Sequence, residues 1–135
     1  MNELIEFNKA IYINLKNFED LELYKECRKF RQEVSSLIKT FPKEEKYRLT
    51  DQLLRCSRSI TANIAEGHGR YHYQENIEFC RQARGSLTEA LDHLLCALDE
   101  KYITENQLDQ FRNAYDQCLK LLNGYIYYLK RQKMS

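Results

Sequence analysis

Apolar positions along this chain recur at alternating intervals of three and four, the period of an α-helix that buries one stripe. The first stripe reads Leu23, Cys27, Phe30, Val34, Leu37 and Phe41 and predicts a helix over residues 20–40. Phe41-Pro42 ends it, because the residue before a proline is driven out of the α region. The second stripe is Leu49, Leu53, Cys56, Ile60, Asn63 and Gly67. It predicts a helix whose first turn holds Pro42, Glu44 and Glu45 and whose C-terminal stop is Gly67. The third runs through Ile77, Cys80, Arg84, Leu87, Leu91, Leu94 and Leu98, beside a column of small residues, Ala83, Ala90 and Ala97. Thr104-Glu105-Asn106-Gln107 is a capping box, and it opens a fourth stripe of Leu108, Phe111, Tyr115, Cys118, Leu122, Tyr125 and Leu129. The period-two alternation of strands is absent. The expected fold is all-α: an up-down-up-down four-helix bundle with long antiparallel helices over residues 18–135. Residues 1–17 contain apolar spots without a clean period, so they are read as an N-terminal arm or an extra helical segment.

Composition agrees with that picture and narrows it. A chain of 135 residues with four Gly and one Pro has little turn material for a sandwich or a doubly wound sheet, but suits a few long helices. Its net charge of +1 excludes a bulk polyanion binder. The charge is uneven, however: −2 over residues 1–20, +4 over 21–70, −4 over 71–100 and +3 over 101–135. Alternating signs along antiparallel helices suit complementary faces. The five cysteines show no C-x-x-C spacing, and four of them fall on helix seams, where a thiol packs as a small hydrophobe. No signal-peptide layout and no membrane-length apolar run is found, so the expectation is a cytoplasmic protein with reduced thiols and no membrane partner.

One feature exceeds what a lone bundle needs. Leu119, Leu121, Leu122, Tyr125, Ile126, Tyr127, Tyr128 and Leu129 cover most of the circumference of the fourth helix. A bundle helix in water keeps its outer face polar, so an all-round apolar helix predicts a second buried contact. The simplest is another copy of the chain, with Leu119, Leu121, Ile126, Tyr127 and Tyr128 as the interface. The alternative is the N-terminal arm folding back over it.

Candidate chemistry is sparse. His68 and His72 are four apart but flanked by glycines, and Glu89 with His93 lacks the paired Glu-x-x-His of a di-iron bundle. No catalytic residue, no metal and no cofactor are expected. Ser59, Asn63 and Glu66 line one edge of the second helix, with Arg70 beyond them; this edge reads as a polar network that sets register, or as a ligand or subunit contact. A hairpin centred on residues 69–72 sets Arg58 level with Ala83 and Arg84 with Ser57, gathering Arg55, Arg58, Arg81 and Arg84 at mid-height. Such a cluster binds phosphate or is neutralised by acids of a neighbouring subunit. At the C-terminus, Tyr127 and Tyr128 interleave with Lys130, Arg131 and Lys133, a pattern that holds single-stranded nucleic acid or simply complements the helix dipole.

Two motifs carry a family resemblance: Ser59-Ile60-x-x-Asn63-Ile64-Ala65-Glu66-Gly67-x-Gly69-Arg70 and Ala83-Arg84-Gly85-Ser86-Leu87-x-Glu89. With Leu21-x-x-Tyr24-Lys25, Phe41-Pro42-x-x-Glu45-x-Tyr47-x-Leu49, Gln52, Arg55 and Arg58, the chain resembles the bacterial four-helix-bundle proteins encoded in intervening sequences of the large-subunit ribosomal RNA gene. The resemblance covers residues 18–130. It implies a cytoplasmic homopentamer with no established enzymatic activity. It also implies a more distant similarity in fold to the accessory variability protein of diversity-generating retroelements, which binds nucleic acid. The reading is therefore a non-catalytic homo-oligomeric scaffold that binds RNA, DNA or a ribonucleoprotein or protein partner. Its alternative is an enzyme of unknown reaction with an inter-subunit site around Asn63 and Glu66.

Overall fold

The computed structural model describes residues 15–135, so the arm expected over 1–17 lies almost wholly outside the described residues. Among the described residues four α-helices follow one another: α1 (Glu22–Ile38), α2 (Leu49–His68), α3 (Tyr73–Asp99) and α4 (Glu105–Met134). Single 3-10 turns, Phe18–Asp20 and Lys43–Glu45, precede α1 and α2. The packed pairs are α1–α2, α2–α3, α3–α4 and α1–α4, so the helices close into a ring in which each touches its two neighbours. No strand occurs among the described residues.

The first and fourth stripes are buried as their spacing requires. Leu23, Cys27, Phe30, Val34, Leu37 and Phe41 are all core residues, as are Leu108, Phe111, Cys118, Leu122, Tyr125 and Leu129, with Tyr115 half-buried beside them. The capping box forms at α4, where the Thr104 hydroxyl accepts from the Gln107 amide and the Gln107 side chain from the Thr104 amide. Cys27, Cys56, Cys80 and Cys118 are buried and Cys96 is exposed. A hydrogen bond to Cys118, then burial, push the Cys27 thiol far above its ordinary range.

The second and third stripes are displaced. In α2 the buried residue is Ile64 rather than Asn63, which is half-buried. In α3 the fully buried line is Ile77, Cys80, Ala83, Leu87, Ala90, Leu94 and Ala97, so the small-residue column is the seam; Arg84, Leu91 and Leu98 flank it, half-buried. A strict seven-residue repeat drifts around a straight helix, and small side chains let backbones approach closely, so the alanines win the central positions. Boundaries move too. Pro42 precedes a separate 3-10 turn that holds Glu44 and Glu45, and α2 starts only at Leu49. Gly67 lies inside α2, which runs on to His68.

The connections place like with like at the two ends. At one end, Tyr102 donates to the Glu45 carboxylate (3.1 Å) and its ring lies 5.4 Å from that of Phe41, joining the α3–α4 loop to the α1–α2 loop. Lys101 holds the left-handed conformation (φ 63°) of a Schellman stop, with Tyr102 N–H on the Ala97 carbonyl and Lys101 N–H on that of Leu98. At the other end stand the α2–α3 turn, the start of α1 and the C-terminus of α4.

Candidate nucleic-acid interface

The α2–α3 turn is short because two helices are pressed together directly before it. A Cβ on Gly67 would lie 2.7 Å from Asn76 Oδ1 and 2.8 Å from Phe79 Cβ, so only glycine permits this approach. The contact turns Asn76 inward, where its amide donates to the Tyr125 hydroxyl (3.2 Å) and its carbonyl oxygen accepts from the Cys80 thiol (3.6 Å). That buried link fixes α4 against α3 and sets the side chains around it. A cleft of about 190 Å³ opens there, lined by His68, Arg70, Tyr71, His72, Tyr73 and Tyr128 among others. Burial lowers the His68 imidazole pKa, which favours its neutral form.

Beside it, a second cleft of about 290 Å³ runs between the start of α3 and the end of α4, lined by Gln74, Ile77, Arg81, Lys130, Lys133 and Met134. Lys133 reaches across it to donate to the Gln74 side chain. The structure thus brings Arg81 of α3 together with Lys130 and Lys133 of α4 over an apolar floor. Tyr71 (93% exposed), Tyr73 (46%) and Tyr127 (39%) offer ring faces at the same end. Arg131 stands over the Tyr127 ring (5.1 Å) and donates to its hydroxyl (3.1 Å).

Of the four arginines expected to gather, two are engaged by other partners. Arg55 is exposed and pairs with Asp51 on its own helix (2.9 Å), Arg58 is exposed, and Arg84 donates to Asn123 of α4 (2.9 Å). The register of α2 against α3 also differs from the expected one. Ser59 meets Ser86 (2.9 Å), about one helical turn past the pairing that a simple fold at residues 69–72 implies. Helical side chains lean toward their own N-terminus, so in antiparallel helices the two sets lean in opposite directions and contacts shift along the pair.

The polar edge of α2 is real but local. Asn63 donates to the carbonyl and hydroxyl of Ser59 (2.8 and 3.0 Å), Ser59 reaches Ser86 on α3, and Glu66 pairs with Arg70 (3.0 Å). Arg70 also meets Glu75 (3.6 Å) and covers the Phe79 ring at 4.9 Å. These bonds engage Asn63 and Glu66 with residues one turn away in the chain.

The apolar face of α4 is smaller than its sequence implies. Ile126 is buried within the bundle, and Leu119, Leu121 and Tyr128 are half-buried against the same core, leaving Tyr127 as the exposed member. A helix that packs on two neighbours buries a wide arc, and this accounts for much of the all-round pattern.

One grouping was invisible to spacing. Cys56 of α2 stands against Glu89 and His93 of α3, with the three donor atoms all within 4.8 Å of one another. His93 Nε2 lies 3.1 Å from Glu89 Oε2, and burial, then the Glu89 charge, push the Cys56 thiol up to about 12. The aromatic turn was missed as well. Its signal, Tyr71-His72-Tyr73 directly after Arg70, is present in the sequence, but only the packing of α4 against α3 brings it beside Lys130 and Lys133.

Among the described residues no helix is long and apolar enough to cross a membrane. None of the curated proteins matches the chain. Among solved structures it is similar to a protein of unknown function from the S23 ribosomal protein family of Bacteroides thetaiotaomicron, at 25% identity and a TM-score of 0.72, over 78% of this chain and 95% of that one. The family model for the 23S rRNA-intervening sequence protein matches residues 19–124, which span the helices from the 3-10 turn before α1 to the middle of α4. With its bundle and the two central motifs accounted for, the chain belongs to the 23S rRNA-intervening sequence protein family.

Proposed function

We propose that this chain is a non-catalytic, self-assembling helical scaffold of the cytoplasm that binds single-stranded nucleic acid, RNA first, at the turn end of the bundle. The observation that carries the reading is the neighbourhood of Arg81, Lys130 and Lys133 with the exposed rings of Tyr71, Tyr73 and Tyr127. Cations attract phosphate while ring faces stack on bases of any kind, so the pair of features holds a strand without reading its sequence. Arg55 and Arg70 of the α2 edge are tied to acids close by in the chain, whereas these cations line an open cleft. The net charge of +1 is no obstacle, because copies arranged around an axis concentrate whichever face points inward.

The test is a titration of the purified protein with mixed-sequence single-stranded RNA and with duplex DNA. Binding to RNA should be strong at about 50 mM salt and weaken about tenfold by about 200 mM, through release of counterions from a few phosphates. The triple variant Arg81→Glu, Lys130→Glu, Lys133→Glu should abolish binding while leaving the helical content and the particle mass unchanged. Absence of binding to either nucleic acid at micromolar protein overturns the reading and leaves a scaffold for a protein partner.

A further inference from the structure

We propose that Cys56, Glu89 and His93 form a binding site for a borderline-soft divalent metal, zinc foremost, that clips α2 to α3. Three different donor types from two helices converge here: a thiol from the core side, and an imidazole and a carboxylate one turn apart on the facing helix. Their donor atoms already lie within 4.8 Å of one another, and the imidazole–carboxylate separation is 3.1 Å. A zinc ion bound to sulfur and to nitrogen or oxygen at its ordinary bond lengths spaces tetrahedral donors about 3.5 Å apart. Binding closes the remaining gap of about 1 Å between donors.

The donor set selects the metal class. Thiolate with imidazole favours zinc, cobalt, nickel or copper over magnesium and calcium, which take oxygen donors. Access comes from the carboxylate side, since the Glu89 side chain is 57% exposed whereas that of His93 is 15% exposed and Cys56 is buried. Three protein donors leave a fourth, solvent-facing position, which is the pattern of an open rather than a closed zinc site. Without a cation, burial and then the Glu89 carboxylate disfavour a Cys56 thiolate. On binding, the divalent ion replaces the thiol proton, which leaves to solvent, and its charge offsets both thiolate and carboxylate. The other buried thiols, Cys27, Cys80 and Cys118, belong to no such group among the described residues.

The experiment is a titration of the full, reduced chain with cobalt(II), read by absorption, followed by displacement with zinc. One equivalent of cobalt should bring a thiolate-to-cobalt charge-transfer band and the visible bands of a tetrahedral ion, and zinc should remove both. Zinc should also raise the melting temperature, because an ion that bridges two helices binds the folded state alone. Cys56→Ser should lose the charge-transfer band, and Glu89→Gln and His93→Gln should each weaken zinc at least about tenfold. Glu89 lies at the helix surface, so its variant keeps the test open if Cys56→Ser fails to fold. No band in the wild-type chain, a band that persists in Cys56→Ser (assigning it to the exposed Cys96), or undiminished zinc affinity in Glu89→Gln and His93→Gln overturns the proposal.

Discussion

Glycine shows most directly how single residues act in this molecule. At Gly67 an added methyl meets the Asn76 side chain and the Phe79 Cβ at under 3 Å, and both belong to the facing helix. Gly67→Ala should therefore destabilise by about 1–3 kcal/mol, although alanine is the better helix former. Gly85 and Gly124, also within helices, have open space where a methyl would stand, with nothing within 4 Å of it. There the same change should stabilise by about 0.5–1 kcal/mol, through the backbone entropy that glycine loses on folding. Urea denaturation of the three variants checks the opposite signs. Asn63 is the counterexample to a reading made from spacing alone. Its amide bonds to its own helix rather than to a buried partner, so removing it should disturb register little.

At the scale of elements, the α3–α4 pair depends on one buried polar link. The Asn76 amide donates to the Tyr125 hydroxyl with both side chains buried. Tyr125→Phe keeps the ring and its packing but leaves that donor without its acceptor, so it should cost about 1–3 kcal/mol. Thermal unfolding measures the loss, and an unchanged midpoint contradicts it. Two of the four helical stripes emerge from the sequence unaltered, those of α1 and α4, because their large apolar side chains dominate the spacing. In α2 and α3 the seam slides onto Ile64 and onto Ala83, Ala90 and Ala97. Small residues carry little hydrophobic signal along the chain, yet they decide how near two helices come.

For the whole molecule, self-assembly remains the expectation, now resting on less apolar surface. Leu119, Leu121 and Tyr128 stay half-exposed on α4 and Tyr127 is exposed beside them. Light scattering coupled to size exclusion should give a mass several times 16.2 kDa, with five copies the number that the family resemblance implies. A uniform monomer at micromolar concentration contradicts it. Placing charges on this face (Leu119→Glu, Leu121→Glu) should dissociate the assembly and leave the helices intact, as circular dichroism can establish.

The four helices of the described residues, their order, the N-terminal cap of α4 and the identity of the buried cysteines were all legible along the chain. They follow from periodicity and local hydrogen bonding, which act between residues a few positions apart. The family motifs were equally plain, since a run of residues needs no folding to be read. Three things waited for the packed bundle: which stripe of α3 is the seam, that Gly67 marks a close crossing and not a helix stop, and which cations share a cleft. Arg81 is 49 positions from Lys130, and Cys56 is 33 from Glu89; such distances along the chain carry no period. Their meeting depends on the register between helices, set by how side chains lean and by where small residues let the backbones close.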